Sequence, residues 1–328
     1  MKFLITLIAL ACTLPASRAQ YAPQVGVSGS TAIAAGSPSF TGWATGCAVQ
    51  RGYIDIADPT QGMVSAGTDN NATGPANQSI VSLGDSGIAI LTFATPIFNG
   101  PGADFAVFEN GFADPANPED AFLELAFVEV SSDGVNYFRF PCHSLTPATS
   151  QVPGSGVYMN AGLVNNLAGK YISGYGTPFN LDDLAGTQGL DLQHVTHIRI
   201  VDVVGAVNAN TGTTDTAGNL VNDPYPTNFP TGGFDLDAVG VIHQYGLGIA
   251  GTPGGHATIY PNPATDRLYI SGLQPGYLSL CDVTGKVLWR RQAEGDTSVA
   301  LSAFPPGIYT LHLQGENGEK WVEKIVKQ

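Results

Sequence analysis

The chain has 328 residues, enough for two domains. Only 12% of the residues are charged, glycine occupies 41 positions, and acidic residues outnumber basic ones by 27 to 13, giving a formal net charge of −14. This composition argues against a nucleic-acid-binding protein, because phosphate recognition needs clusters of lysine and arginine. It also argues against a helical bundle, and the 43% hydrophobic content argues against disorder.

The first 19 residues predict a secretory signal peptide. Lys2 supplies a positive start, an apolar run occupies residues 3–14, and small residues precede a cleavage site before Gln20. An alternative is lipidation at Cys12, but Ala9 stands where a larger aliphatic residue is usual. No later run of 18 apolar residues occurs, so we predict no transmembrane segment in the mature chain.

The mature chain divides into two parts that differ in charge. Residues 21–250 hold 20 acidic and four basic residues, whereas residues 256–328 hold seven of each. Between them, residues 246–255 contain five glycines and a proline, a composition typical of a flexible linker. We therefore predict four segments, which are the signal peptide 1–19, an acidic domain 20–245, the linker 246–255 and a C-terminal domain 256–328.

Three cysteines remain after signal cleavage. The spacing of Cys47, Cys142 and Cys281 leaves open whether Cys47 and Cys142 form a disulfide. The sequence contains no Cys-x-x-Cys pair, so it does not predict a structural zinc site.

Short strand-like runs separated by Thr-Gly, Pro-Gly and Asn-Gly turns fill the C-terminal domain and predict a small immunoglobulin-like β-sandwich. The segment also resembles the type A C-terminal sorting domain of the type IX secretion system of Bacteroidetes. The resemblance is carried, in order, by Tyr260-Pro-Asn-Pro, the hairpin Asp282–Lys286, the strand Gly307–Tyr309 and the basic last strand 321–327. It implies transport by the type IX machinery and a secreted or surface-attached product. The alternative is a generic immunoglobulin-like binding domain.

In the acidic domain, β-branched and aromatic runs bounded by Gly, Pro, Asn and Asp predict strands rather than helices. The predicted strands cover residues 87–93, 104–109, 122–130, 197–204 and 234–242. Asp133-Gly134 predicts a hairpin after the third of these strands. The fold class is therefore all-β, with a jelly-roll-like β-sandwich whose long connections 141–170 and 205–232 form one end.

Three segments of this domain look like a family of bacterial cell-surface proteins without an assigned activity. They are Gly102–Gly111, Ala126–Phe138 and Gly233–Ile242. The strand pattern of that family is similar to galactose-binding-like jelly rolls, which include many carbohydrate-binding modules. The resemblance implies a surface protein whose ligand is a glycan or a small nutrient.

Acidic residues in this domain predict a calcium site. Asp235 and Asp237 are two apart on a predicted strand, so their side chains point to the same face and repel unless a cation or base lies between them. Calcium takes six to eight oxygen ligands and is a suitable partner where bases are few. The candidate ligands are Asp55, Asp58, Asp69, Asp235 and Asp237. The alternative is that these carboxylates are solvated, cap turns or pair with Arg199.

Aromatic residues of the long connections are candidates for ligand stacking. They are Tyr158, Tyr171, Tyr175, Tyr225 and Phe229. An exposed ring beside Asn and Asp suits a rigid binding anchor. The alternative is that these rings pack the loops onto the sandwich. Separately, Asp215-Thr216-Ala217 matches a short O-glycosylation pattern of Bacteroidetes, with Thr216 as the acceptor.

Three patterns raise the question of catalysis. Gly84-Asp85-Ser86-Gly87 matches a serine-nucleophile motif, but no suitable histidine accompanies it, so a turn is the better interpretation. His194 and His197 have a metal-like spacing but point to opposite sides of an extended strand. Glycosidases need two carboxylates about 5–10 Å apart, and the candidates here are Glu109, Glu124 and Glu129.

Three functions follow from these observations. The favoured one is a secreted or cell-surface, non-catalytic protein that binds a glycan or a small nutrient. The alternatives are a polysaccharide-acting hydrolase and a structural adhesin or matrix protein.

Overall fold

A computed structural model describes residues 21–245, 258–283, 285–315 and 320–328. The predicted signal peptide and linker lie outside these residues. The chain divides into two compact units, of which the first ends at Gln244 and the second begins at Tyr245. Among the described residues, no helix is long and apolar enough to cross a membrane.

The described part of the acidic domain is built from short strands and four single 3₁₀ turns. The strands are β1 Ile33–Ala34, β2 Gly42–Trp43, β3 Gly46–Gln50, β4 Val81–Ser82, β5 Ile88–Ile97, β6 Phe105–Glu109, β7 Phe112–Ala113, β8 Asp120–Phe122, β9 Ala126–Ser131, β10 Phe138–Arg139, β11 His143–Ser144, β12 Met159–Asn160, β13 Val164–Asn165, β14 Tyr175–Phe179, β15 Val195–Asp202 and β16 Asp235–Val241. The 3₁₀ turns are Pro59–Gln61, Asp69–Ala72, Ala161–Leu163 and Leu181–Leu184.

Two antiparallel sheets form the body of this domain. The first sheet has the order β1-β14-β6-β16-β2, with β4 also paired to β16, and the second has the order β10-β9-β15-β5-β3. Successive long strands alternate between the sheets, since β5, β9 and β15 belong to the second and β6, β14 and β16 to the first. This alternation gives the jelly-roll-like sandwich that the sequence predicts and confirms the all-β fold class.

One hydrophobic core fills the space between the sheets. The second sheet contributes Leu91 and Ile198, and the first contributes Phe105 and Leu236, all of them fully buried. Alternate residues of β15 are buried, as expected for a strand with one face on the core. The apolar residues of each run therefore lie on the face of the sheet that packs against the core.

One predicted strand is divided in the structure. The sequence predicts a single strand over 122–130, whereas β8 ends at Phe122 and β9 begins at Ala126. The intervening residues Leu123, Glu124 and Leu125 are buried, so an apolar pattern continues where strand pairing stops. The interruption matters for function because it places Glu124 at the end of the sandwich.

The cysteines are unpaired in the structure. Cys47, Cys142 and Cys281 are free. Cys47 packs against the core between the two main sheets, whereas Cys142 belongs to a separate cluster beneath the long connections. The geometry therefore gives no disulfide between Cys47 and Cys142.

The C-terminal domain has one antiparallel sheet that wraps around its own core. Its strands are β17 Thr258–Tyr260, β18 Arg267–Cys281, β19 Val287–Ala300, β20 Gly307–Gly315 and β21 Lys320–Lys327. On one side of β18, residues 269–271 pair with β17 and residues 276–281 pair with β20. The described core includes Leu268, Leu280 and Leu311. This curled sheet fits the predicted small β-sandwich.

Substitution of Phe105 is a test of the hydrophobic core between the two sheets of the acidic domain. Its ring is fully buried, stacks on Phe179 with centroids 5.4 Å apart and meets the edge of Phe140. We expect Phe105→Ala to lower the free energy of unfolding of this domain by about 3–5 kcal/mol, because it removes apolar contacts and leaves a cavity. Urea denaturation of the full chain, followed by near-UV circular dichroism, measures the change.

The matched control is Val135→Ala, since Val135 is 78% exposed at a hairpin tip. An exposed substitution of this kind should change stability by no more than about 0.5 kcal/mol. Equal effects of the two substitutions would contradict the described core.

Candidate functional site

The strand ends of both sheets place carboxylates at one end of the sandwich. Glu109 ends β6, and the antiparallel neighbour β16 begins at Asp235. In the other sheet, Asp202 ends β15 and pairs with Ala126, the first residue of β9. Glu124 lies two residues before that strand. Antiparallel pairing therefore gathers these side chains from distant parts of the sequence.

We call this group the acidic end. It consists of six carboxylates that are each between 2% and 7% exposed, namely Asp85, Glu109, Glu124, Asp202, Asp223 and Asp235. Burial of an ionised carboxylate is costly unless hydrogen bonds or a cation compensate for lost water. The hydrogen bonds and neighbouring charges of each carboxylate therefore determine its protonation state.

Two of the six carboxylates each accept two hydrogen bonds, and those of Asp202 join the two sheets. Asp202 accepts hydrogen bonds from the backbone nitrogens of Ser86, at 3.1 Å, and Phe234, at 2.7 Å. Asp235 accepts from the Ser82 hydroxyl and from Asn110 Nδ2, the latter at 2.9 Å. These donors stabilise the negative form of each group and fix the turns that lead into the strands.

Three further carboxylates accept hydrogen bonds from the backbone. Asp85 Oδ2 accepts from Ile56 at 2.8 Å, Asp223 Oδ2 from Leu125 at 2.6 Å and Glu109 Oε2 from Gly111 at 2.7 Å. Glu124 is 7% exposed, and its oxygens are not among the fully buried atoms of the described residues that lack a partner.

Burial and mutual repulsion shift the pKa values of these groups upward. Burial raises the pKa of Asp85 and of Asp235 to about 6. For the other members, burial first and then neighbouring negative charge raise the pKa well above its ordinary value; they are Glu109, Glu124, Asp202 and Asp223. The neighbours whose charges raise the pKa of Glu124 include Glu109 and Asp235.

The two long connections are joined by hydrogen bonds over this end of the sandwich. Gln151 Nε2 donates to the carbonyl oxygens of Gly205 and Asp223, and Asn222 Nδ2 donates to those of Pro147 and Ser150. These bonds tie residues 141–170 to residues 205–232. The second connection thereby positions Asp223 against the backbone beside Glu124.

An exposed aromatic pair lies next to the acidic end. Phe112 follows Glu109 by three residues, is 56% exposed and stacks on Phe122 with centroids 5.0 Å apart and planes 5° from parallel. The pair is held by the short hairpin of β7 and β8. A flat apolar ring beside buried polar groups can stack on the apolar face of a planar or cyclic ligand.

The structure places the predicted calcium ligands at separate positions. Asp58 is exposed and bonds Thr60, while Asp69 accepts a hydrogen bond from the backbone of Val49. Asp55 accepts from the Tyr225 hydroxyl. Of the five candidates, only Asp235 belongs to the acidic end. Within the described ranges, no three His, Cys, Asp or Glu side chains are arranged to hold a metal ion.

Asp235 and Asp237 accept hydrogen bonds from different donors. The register of β16 against β6 shifts between Leu236 and Ala238, which sequence spacing does not reveal. Asp237 accepts hydrogen bonds from the backbone of Asn77 and Gln78. The charges of both aspartates raise the pKa of Glu109, and a shared calcium ligand position stays a prediction.

Two of the predicted stacking residues are packing residues in the structure. Tyr171 is 1% exposed and its hydroxyl bonds the side chain of Thr31, and Tyr225 is 9% exposed. Buried rings cannot stack on a ligand, which corrects the prediction for these two residues. Tyr158 and Tyr175 are half-buried and Phe229 is exposed, so for them it stays a prediction.

Thr216 is exposed, as an O-glycosylation acceptor must be, although its hydroxyl oxygen accepts a hydrogen bond from the backbone of Cys142. Its modification stays a prediction.

The residues of the three possible catalytic patterns have different surroundings in the structure. Glu129 forms ion pairs with Arg139 and Arg199, so it is a structural residue on the outer face of the second sheet. Ser86 lies in a turn with a φ of 61°, in agreement with the non-catalytic interpretation of its motif. His197 bonds the neighbouring Thr196. Of the three glutamates that the sequence offers as a carboxylate pair, Glu109 and Glu124 lie in the acidic end and Glu129 does not, and sequence reasoning missed Asp85, Asp202 and Asp223.

Comparison with known proteins identifies the C-terminal domain. Residues 258–328 match the family described as secretion system C-terminal sorting domain. These residues are therefore a sorting domain, which marks the chain for export and for secretion or attachment at the outer surface. This confirms the resemblance drawn from its motifs. A comparison with curated proteins finds no match.

Solved structures are similar to this chain only at low level. A β-glucuronidase from Ruminococcus gnavus has 11% identity and a TM-score of 0.23, covering 87% of this chain and 45% of its own. A β-glucuronidase from Lactobacillus rhamnosus has 12% identity and a TM-score of 0.21, covering 87% and 43%. The BSP domain of a biofilm-associated protein has 13% identity and a TM-score of 0.18, covering 80% and 53%. The chain spans about half the length of these structures, and TM-scores this low carry no functional argument.

The raised pKa values give the acidic domain a distinctive pH dependence. A carboxyl group with a raised folded-state pKa binds its proton more tightly in the folded state, so stability increases as pH falls through that pKa. For Asp85 and Asp235 the gain develops between about pH 6 and pH 4. In excess chelator, we expect the melting temperature of the acidic domain to be higher at pH 5 than at pH 7.5.

The shift should be on the order of 5 °C, because 1 kcal/mol moves the melting temperature of a domain this size by roughly 2–4 °C. Differential scanning calorimetry measures it. Asp85→Asn should reduce the shift, whereas Asp69→Asn, at an exposed position, should preserve it. A melting temperature that falls from pH 7.5 to pH 5 would show that the acidic end is not a source of charge repulsion.

Proposed function

We propose that the acidic domain is a non-catalytic module that binds a glycan or a small nutrient at its acidic end. The sorting domain would deliver this module to the outside of the cell through the type IX secretion machinery. The observation that carries the proposal is the exposed Phe112 ring, stacked on Phe122 beside the acidic end. An exposed aromatic ring beside polar groups suits stacking on the apolar face of a ligand.

Polar groups around this ring support a carbohydrate-like ligand. The hairpin that carries Phe112 also holds Asp114, Asn117 and Asp120, of which the last two bond each other at 2.9 Å. Sugar rings present apolar C–H faces together with hydroxyl groups, so an aromatic platform with carboxylate and amide neighbours matches both. The ordered long connections supply a rigid rim that includes the exposed Phe229.

Hydrolysis is the second candidate function. In its favour, Glu109 and Glu124 belong to one group, burial raises the pKa of both, and the charge of Glu109 raises the pKa of Glu124 further. A pair of carboxyl groups with raised pKa values is common in active sites. Against it, Glu109 is 2% exposed and Glu124 is 7% exposed. Glycosidase carboxylates must contact the bond that they cleave, so burial favours binding over catalysis.

A binding screen of the full chain separates these functions. Purified protein is tested by affinity electrophoresis against soluble polysaccharides and by calorimetry against small nutrients, and new reducing ends are measured in parallel. We expect retention by at least one ligand without new reducing ends, and loss of retention in Phe112→Ala because the stacking surface is removed.

Val135→Ala is the matched control, since Val135 is exposed at the opposite end of the sandwich. Loss of retention in Phe112→Ala alone would support the proposed platform. Cleavage of any polysaccharide would reject the non-catalytic function in favour of hydrolysis. Retention by none of the ligands would reject it in favour of an adhesin.

The sorting domain gives a separate prediction about export. In a host with a type IX secretion system, we expect the full chain at the cell surface or in the medium. A chain that lacks residues 258–328 should accumulate in the periplasm, because the segment matched to the sorting family is missing. Cell fractionation and immunoblotting measure the distribution, and full-length Phe112→Ala controls for effects of mutation alone. Equal export of the truncated chain would contradict this role.

A further inference from the structure

A groove lies on the outer face of the second sheet, on the side away from the hydrophobic core. Its volume is about 300 Å³, at the lower end of the roughly 300–1,000 Å³ that small-ligand sites occupy. Three strands line it, through Ala48, Val49 and Gln50 of β3, Ile88 and Ile90 of β5, and Arg199 of β15. The six carboxylates of the acidic end are not among these lining residues.

Strand register explains why the groove and an ion-pair cluster share one face. Ile90 lies opposite Ala48 on one side and opposite Arg199 on the other. Arg199 also lies opposite Glu129, which in turn lies opposite Arg139 of β10. Because side chains directly opposite one another in a sheet project from the same face, these residues form one row across all five strands.

We propose that this groove binds a sugar ring that carries a negatively charged oxygen group, a carboxylate or a sulfate, with Arg199 as its principal charged contact. The two kinds of sugar share one chemistry, which is an anionic oxygen group on a ring with apolar C–H faces. The proposal goes beyond the function proposed above and does not rest on it, since neither Phe112 nor the acidic end takes part.

An excess of positive charge in the row is the first observation that points to an anion. Arg139 bonds Glu129 Oε1 through Nε and Nη2, both at 2.8 Å, and Arg199 bonds Oε2 through the same two nitrogens. One carboxylate therefore neutralises only one of two guanidinium charges. Residues 21–250 contain four basic residues. Two of them on one row make this face attractive to anions within an otherwise acidic part of the chain.

Both guanidinium groups have N–H donors left for a ligand. A guanidinium group carries five N–H donors, and the bonds to Glu129 engage Nε and Nη2. The Nη1 atoms of Arg139 and Arg199 take no part in these bonds. Arg199 is 30% exposed and lines the groove. Its Nη1 can therefore bind an anionic oxygen without loss of the ion pair to Glu129.

Aromatic rings hold both guanidinium groups in place. Arg199 Cζ lies 4.1 Å from the centre of the Tyr137 ring, and Arg139 Cζ lies 4.1 Å from the centre of the Phe127 ring. A guanidinium group that is fixed by a ring and an ion pair loses little freedom when it binds a ligand, which favours affinity. Its planar fork also matches two oxygens of a carboxylate or a sulfate.

Apolar and amide groups of the groove favour a sugar over a simple anion. Ile88 and Ile90 are half-buried, and Gln50 is exposed. The isoleucine side chains offer an apolar surface to the C–H face of a ring, and the Gln50 amide can bond ring hydroxyl groups. Arg199 adds the charge, so an acidic sugar uses all three kinds of contact that the groove provides.

The test is a calorimetric titration of the full chain with three sugar probes at pH 7.5. An oligogalacturonate carries carboxylates, a sulfated galactose oligosaccharide carries sulfates, and a neutral galactose oligosaccharide of the same length carries neither. We expect saturable binding of at least one acidic probe, roughly tenfold or more tighter than the neutral probe, because a hydrogen bond to a charged group is worth about 1.5–3 kcal/mol. The tighter acidic probe identifies which oxygen group the groove takes.

Four substitutions locate the bound sugar. Arg199→Gln should weaken binding of the acidic probe roughly tenfold or more, because the charged contact is lost. Gln50→Glu should also weaken it, because it places a negative charge at an exposed position of the groove. Gln188→Glu is the matched control, since Gln188 is exposed but does not line the groove. Asp69→Asn should tighten binding, because the Asp69 carboxylate lies beside the groove and accepts from the backbone of Val49.

Phe112→Ala separates this site from the proposed function, because it should bind the acidic probe as tightly as the unsubstituted chain does. Loss of acidic-sugar binding in Phe112→Ala would place the sugar at the acidic end and overturn the proposal. Should Arg199→Gln fail to fold, Gln50→Glu at its exposed position keeps the test decisive.

Several further results would overturn the proposal. They are no saturable binding of either acidic probe, equal affinity for the neutral probe, unchanged affinity in both Arg199→Gln and Gln50→Glu, and an equal loss in Gln188→Glu. Sedimentation velocity adds one more outcome. A dimer of the full chain that Gln50→Glu dissociates would show that a second copy covers this face, which would also overturn the proposal.

Discussion

Burial of carboxylates where the two sheets end together is the constraint on which the acidic domain depends. Four of these carboxylates accept hydrogen bonds from backbone nitrogens of the segments between strands, namely Asp85, Glu109, Asp202 and Asp223. Asp202 is an example, because its carboxylate accepts hydrogen bonds from the segment before β5 and from the segment before β16. A Cβ at Gly233 would lie 2.7 Å from Asp202 Oδ1 and 2.8 Å from the Cα of Gly84, so a side chain there would separate these turns.

Two of the four basic residues in this part of the chain are used away from this end. Arg139 and Arg199 both bond Glu129 on the outer face of the second sheet, and each also covers an aromatic ring, Phe127 and Tyr137 respectively. These arginines therefore rigidify a sheet face and cannot neutralise the carboxylates at the strand ends. Negative charge is concentrated at the acidic end because these arginines lie elsewhere. The net charge of the chain does not reveal where that concentration lies.

Sequence patterns recovered the features that depend on neighbouring residues. Alternation predicted β5, β6, β15 and β16 closely, and the Asp133-Gly134 turn predicted the pairing of β10 with β9. The acidic end depends instead on contacts between distant residues, such as Asp223 with Leu125 across 98 positions. The bulge in β16 and the break before β9 also escaped prediction. Both are set by packing, and they decide where Asp237 and Glu124 lie.

The acidic end and the aromatic pair are linked through a short stretch of backbone. Glu109 closes β6 and holds the nitrogen of Gly111 at 2.7 Å, and β7 begins with Phe112 directly after it. The turn before Phe112 is therefore held by two contacts, the Glu109 carboxylate and the pairing of β7 with β8. Burial and the charges of Asp235 and Asp237 raise the pKa of the Glu109 carboxyl, so the charge of the acidic end acts on the same turn that presents the exposed ring.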